Sequence, residues 1–161
     1  MTSKNSTPLL KPILIAGLLA GTLDAIAAIL DYYIATGKNP VIVFIFIASG
    51  IFGNGAFSMS RHIAWLGLFL HFSIAVVFSA FYFLIFPKIK LLQKSRAGSA
   101  IMYGIFAWAA MNLIVVPLSN TPPLPFHAFK AIKAALILIL CIGTPVCFLA
   151  ASFYKKKEIA K

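Results

Sequence analysis

Apolar residues run through this chain in blocks of about twenty, broken by short polar segments that carry most of the prolines and basic residues. A helix rises about 1.5 Å per residue and the hydrocarbon core of a bilayer is about 30 Å thick, so a block of that length spans it. The pattern predicts four spanning helices, over 13–35, 63–86, 99–118 and 134–154. A fifth apolar block, 41–60, is ambiguous. Its first eight residues are solidly Val/Ile/Phe-rich, but Ser49-Gly50-Ile51-Phe52-Gly53-Asn54-Gly55 is too rich in glycine and too polar for a lipid-facing helix end. Two readings stand. It is either a short fifth span, or a segment that enters the membrane and turns back, with Ser49, Gly50, Gly53, Asn54 and Gly55 forming a re-entrant or pore loop. The expected fold is all-α: a polytopic transmembrane helix bundle of four spans plus this membrane-embedded segment, in a single domain over 1–161.

The breaks are legible. Pro8 and Pro12 delay the first helix, and Gly37-Lys38-Asn39-Pro40 ends it. Pro87-Lys88-Ile89-Lys90 ends the second, and the proline-rich 119–127 forms a stiff turn after the third. Pro145 predicts a kink in the last span, which Lys155, Lys156 and Lys157 anchor at the headgroups. A charged start before an apolar run also describes a signal peptide. This run is longer than an ordinary signal core and contains Asp24, so cleavage is not expected.

Polar residues inside the spans are the candidate chemistry. Gly17, Gly21, Asp24, Ala28 and Asp31 follow one another at steps of three and four, and so share one helix face. A carboxylate in lipid costs about 2.5–3.5 kcal/mol on insertion scales, so Asp24 should face protein, and small neighbours let a second helix approach it. Gly67, His71, Ala75 and Ser79 repeat the pattern on the second span, and Asn112 lies inside the third. Counting rise per residue puts Asp24, His71 and Asn112 at similar depth, roughly 18–20 Å from the cytoplasmic edge. Three accounts follow. The three side chains form an interhelical hydrogen-bond cluster that pins the bundle, or a proton relay with Asp24 as exchangeable carboxylate, His71 as shuttle and Asn112 as orienting partner, or they make no mutual contact.

Composition narrows the class. Of 161 residues, 61% are hydrophobic and 11% charged, against about a quarter charged in soluble domains. A net charge of +11 would suggest nucleic acid in a soluble protein. Here the basic residues sit between apolar blocks, where they set orientation and meet anionic headgroups, so a lipid partner is expected and nucleic acid is not. With four spans and a cytoplasmic amino terminus, ten Lys/Arg lie inside and four outside; the better five-span arrangement divides them nine to five. Both termini are therefore expected in the cytoplasm. Cys141 and Cys147 have no metal-ligand spacing and read as small buried hydrophobes. No nucleophile–base pair, metal-spaced set or phosphate loop occurs, so neither catalysis, metal nor cofactor is expected. Gly17-xxx-Gly21 reads as internal packing, and a homo-oligomer stays open as an expectation.

His71 to Lys90, HFSIAVVFSAFYFLIFPKIK, and Pro117 to Phe126, PLSNTPPLPF, resemble the YagU-like family of small bacterial inner-membrane proteins. AGLLAGTLD, IASGIFG and MNLIVVPLS are similar to a wider group of bacterial membrane proteins of this size. The resemblance implies a bacterial inner-membrane location and an all-helical bundle, and implies no activity. This chain departs from it after the first span, where the apolar 41–60 replaces a longer polar connection. The expected role is a non-enzymatic accessory or stress-related membrane protein; the alternative is a small proton-coupled transporter or channel using the Asp24/His71 pair. An enzyme acting on lipid is a distant third.

Overall fold

The computed structural model describes residues 9–123 and 125–159. The chain is an all-α bundle, and no strand occurs among the described residues. Its elements are α1 (Leu10–Thr36), α2 (Val41–Phe52) with a 3₁₀ turn over Gly53–Ser58, α3 (Ile63–Ile85), α4 (Lys90–Lys94), α5 (Arg96–Ala110), α6 (Val116–Leu118), α7 (Ala128–Leu138) and α8 (Thr144–Ile159). Five stretches are long and apolar enough to cross a membrane: Leu10–Thr36, Val41–Ser58, Ile63–Ile85, Arg96–Leu118 and Ala128–Lys156. This is a membrane protein.

Helix ends follow local chemistry. Gly37 stops α1 at φ 65°, its N–H bonding the Tyr33 carbonyl at 2.8 Å. Asn39 Oδ1 accepts from Val41 N–H at 3.0 Å to start α2, and Ser95 Oγ accepts from Gly98 N–H at 3.2 Å to start α5. Two π-helical turns, Met111–Val115 and Ile139–Gly143, join α5 to α6 and α7 to α8. Each ends two residues before a proline, Pro117 or Pro145. A helical proline has no N–H for the carbonyl four residues back and its ring crowds that group, so widening the preceding turn relieves the strain. Pro145 thus produces a bulge within a continuous rod, which is the physical form of the expected kink.

Small residues set the packing. Gly17 on α1 sits where an added Cβ would be 2.7 Å from the Val76 backbone, and Gly21 where it would be 2.9 Å from the Phe72 ring. Four residues forward on α1 thus match four back on α3, so the two helices are antiparallel. A Cβ on Gly104 would collide with Ile139, and one on Gly143 with the Ala100 carbonyl, so α5 and the last rod are antiparallel too. The buried core is correspondingly alanine-rich (Ala16, Ala20, Ala48, Ala75, Ala100, Ala107, Ala150), while Leu18, Trp65, Phe69, Leu113, Phe129 and Leu140 face outward. Close approach of small residues with large apolar groups outside is how helices associate in lipid.

These contacts give the bundle two ends. Both described chain ends, with Lys88, Lys90, Lys94 and Arg96 between them in sequence, lie at one, called here the terminal end. Lys38, Arg61, Lys130 and Lys133 belong to the other, the far end. The 41–58 segment starts at the far end, four residues past α1. It meets Asn120 there, whose N–H bonds the Gly50 carbonyl at 3.0 Å and whose Nδ2 bonds the Ile51 carbonyl at 2.9 Å. It finishes there as well, since α3 begins at Ile63. Residues 41–52 are regular helix, so the expectation of an irregular tip is corrected in part: the break is confined to Gly53, at φ 59°, and the 3₁₀ turn beyond it. Lys4 and Pro8 lie outside the described residues.

Candidate functional site, an acidic cavity between four helices

The face of α1 anticipated from its spacing is where the bundle is hollow. A cavity of about 330 Å³ is lined from α1 by Asp24, Ala28 and Asp31, from α3 by His71, Ile74, Ala75 and Phe78, and from α2 by Ile47. The other wall carries Ala107, Met111, Asn112 and Val116 from the α5–α6 rod, and Ala134, Ile137, Leu138 and Ile142 from the last rod. Both π turns therefore border it, through Met111 and Asn112 on one side and Ile142 on the other. All three residues of the expected polar layer reach the same cavity.

They do not bond to one another. His71 Nε2 lies 2.8 Å from the Gly21 carbonyl oxygen, which can only accept, so Nε2 carries the proton and donates it. Phe44 and Phe72 hold the ring edge-on, with centroids 6.3 and 5.5 Å away. Asn112 Nδ2 donates to the Trp108 carbonyl one turn back on its own helix, at 2.9 Å. It therefore does not orient His71, and the expected three-way hydrogen-bond cluster is corrected: competing backbone carbonyls take both donors. Asp24 accepts no hydrogen bond from any described residue, although His71 and Cys141 are within electrostatic reach of it.

Asp31 is different. Lys133, from α7, forms an ion pair with its Oδ1 where both side chains are partly exposed, 39% and 37%. Asp31 and Lys133 stand 102 positions apart, so no local spacing marks them as partners. Charge accounting then leaves Asp24 as the cavity's one uncompensated carboxylate. Among the described residues, no group of three or more His, Cys, Asp or Glu could hold a metal ion.

The glycine-rich tip is placed elsewhere. None of Ser49, Gly50, Gly53, Asn54 or Gly55 lines the cavity. Ser49 is buried with its Oγ donating to the Phe46 carbonyl at 2.6 Å, and Gly50 and Gly53 pack against residues 119–121. Asn54 and Gly55 are exposed. As a pore lining this loop is corrected: Gly50 and Gly53 serve close contact with the far-end turn, and α2 sends Ile47 to the cavity instead.

Tyrosine clasps were missed. Tyr103 Oη donates to the Phe78 carbonyl at 2.5 Å and Tyr154 Oη to the Phe83 carbonyl at 2.7 Å, tying α5 and α8 to α3. Nothing in the linear pattern marks either hydroxyl as a clasp; their positions on the inner faces of their helices are the available signal. Cys147 is buried in the core as expected, and Cys141 is half-buried near Asp24. Compared with family profiles, with curated proteins and with solved structures, the chain matches none.

Proposed function

We propose that this is a bacterial inner-membrane protein that works as a small proton-coupled carrier or channel, with Asp24 and His71 as the exchanging groups. The observation that carries the reading is the cavity, where a carboxylate without a hydrogen-bond donor meets an imidazole on a neighbouring helix deep in the apolar bundle. Ionisable groups within spanning helices are costly and mark proton or ion pathways where they face a shared internal space. The resemblance of 71–90 and 117–126 to the YagU-like family supports the inner-membrane location. The ten-to-four division of basic residues supports cytoplasmic termini, and the return of 41–58 to the far end supports four crossings. The basic residues of the terminal end then face anionic headgroups.

A second reading, an accessory or stress-related protein without flux, is favoured by one observation. His71 is engaged with the Gly21 carbonyl where α1 and α3 approach closely, as a packing residue would be. Proton and cation flux into liposomes separates the two, with wild type beside Asp24→Asn and His71→Ala. The carrier reading expects flux that is lost in both variants while each retains its helical spectrum and thermal midpoint to within a few degrees. No flux in wild type across a range of pH and ions would leave the accessory reading.

A further inference from the structure

The cavity's charge and walls specify its occupant more closely than "proton or ion". Asp31 is paired with Lys133, which leaves Asp24 as the lining carboxylate without an ion-pair partner or hydrogen-bond donor among the described residues. Apart from His71, Asn112 and the paired Asp31, the lining around that carboxylate is apolar: Ile47, Ile74, Phe78, Met111, Ile137 and Ile142. A hydrated metal ion needs several oxygen ligands, and the described residues offer no cluster of them. A volume of about 330 Å³ equals the liquid share of roughly ten waters and reaches the lower end of ordinary small-molecule pockets. We infer that the cavity binds a small monovalent organic cation with an apolar body, Asp24 serving as its counter-ion.

This rests on the carrier reading and gives it a mechanism. The Asp24 carboxylate holds either a proton or the cation. When the cation enters, the proton leaves to the aqueous phase, and no covalent bond other than that O–H is broken. The groups that face Asp24 are His71 from α3 and Cys141 from the last rod, with Asp31 and its Lys133 partner farther along. The residues lining from α2 and from the α5–α6 rod bring no ionisable group. The π turns on two walls supply a means for the pocket to adjust, since a widened turn can shift register within a rod that stays helical.

The test is equilibrium binding of tetraethylammonium to the full chain in nanodiscs, with empty nanodiscs subtracted and its neutral isostere 3,3-diethylpentane as control. Saturable binding of the cation is expected, with a proton released on binding across a pH series in weak buffer. Asp24→Asn should weaken it by about tenfold or more, as loss of a desolvated charge partner does. Ala28→Leu keeps the carboxylate but fills the pocket, and should also abolish binding. Overturning results are equal binding by either folded variant, equal binding of the neutral analogue, or no saturable binding by folded wild type. The two proposals fail separately: proton flux without cation binding removes this inference alone, and cation binding without flux removes the carrier and leaves a binding site.

Discussion

At Gly67 a single added methyl group decides whether α2 can lie on α3. Its Cβ would meet the Phe44 carbonyl, a backbone group that cannot swing aside. Gly67→Ala should therefore destabilise the bundle by about 1–3 kcal/mol, the usual cost of overpacking, and lower the thermal midpoint in detergent. Gly55→Ala is the matched control, because nothing lies within 4 Å of that position, and it should leave the midpoint nearly unchanged. Tyr103→Phe tests the clasp: it removes the interhelical bond while the Phe78 carbonyl keeps its own helical partner, and should cost about 1 kcal/mol on the same measurement. Residue by residue, the small-residue faces of α1 and α3 were legible, because spacing alone puts Gly17, Gly21 and Asp24 on one side. Hydrogen-bond partners were not. Asn112 and His71 chose backbone carbonyls, and nothing in a linear pattern says which acceptor lies nearest.

Among the elements, the paired π turns are the feature to perturb. Pro117 and Pro145 stand at the same offset from their turns, and both turns border the cavity. Pro145→Ala restores an N–H and removes the ring, so the rod should relax toward regular helix. The expected result is a higher thermal midpoint with reduced flux in liposomes, the trade common where function needs a strained element. An unchanged flux with a raised midpoint would make the bulge merely tolerated. Pro145 was legible as a kink in advance, but the matching bulge before Pro117 was not, since that proline sits near a helix end where a break looks sufficient. The 41–60 block divided two readings because its hydropathy describes a span and its glycines describe a turn. What separates them is the antiparallel contact of α1 with α3, a long-range fact that no window of sequence contains.

For the whole molecule, the consequence of that contact is topological. With α1 and α3 antiparallel, Lys38 and Arg61 belong to one end of the bundle; four crossings would put both on one side of the membrane, and five would separate them. In a background with Cys141 and Cys147 replaced, single cysteines at Lys38 and Arg61 should both react with a membrane-impermeant thiol reagent added outside intact cells. A cysteine at Lys94 should react only after the cells are opened. Labelling of one far-end site but not the other would establish five crossings. The all-helical bundle itself was readable from hydropathy, because lipid leaves so few ways to satisfy a buried backbone.

The clasp between Asn120 and α2 bears on how the protein is made. Residues 120 and 51 are 69 positions apart, so at about 5–20 residues per second the second helix waits roughly 3–14 s for its partner to emerge from the ribosome. During that interval α2 is held mainly by its packing on α3, through Phe44 and Gly67, while its Gly50–Ile51 end lacks its polar partner. Nascent chains halted before residue 119 should therefore expose the Gly53–Ser58 turn to protease more than the full chain does, a difference that limited proteolysis of isolated membranes would read.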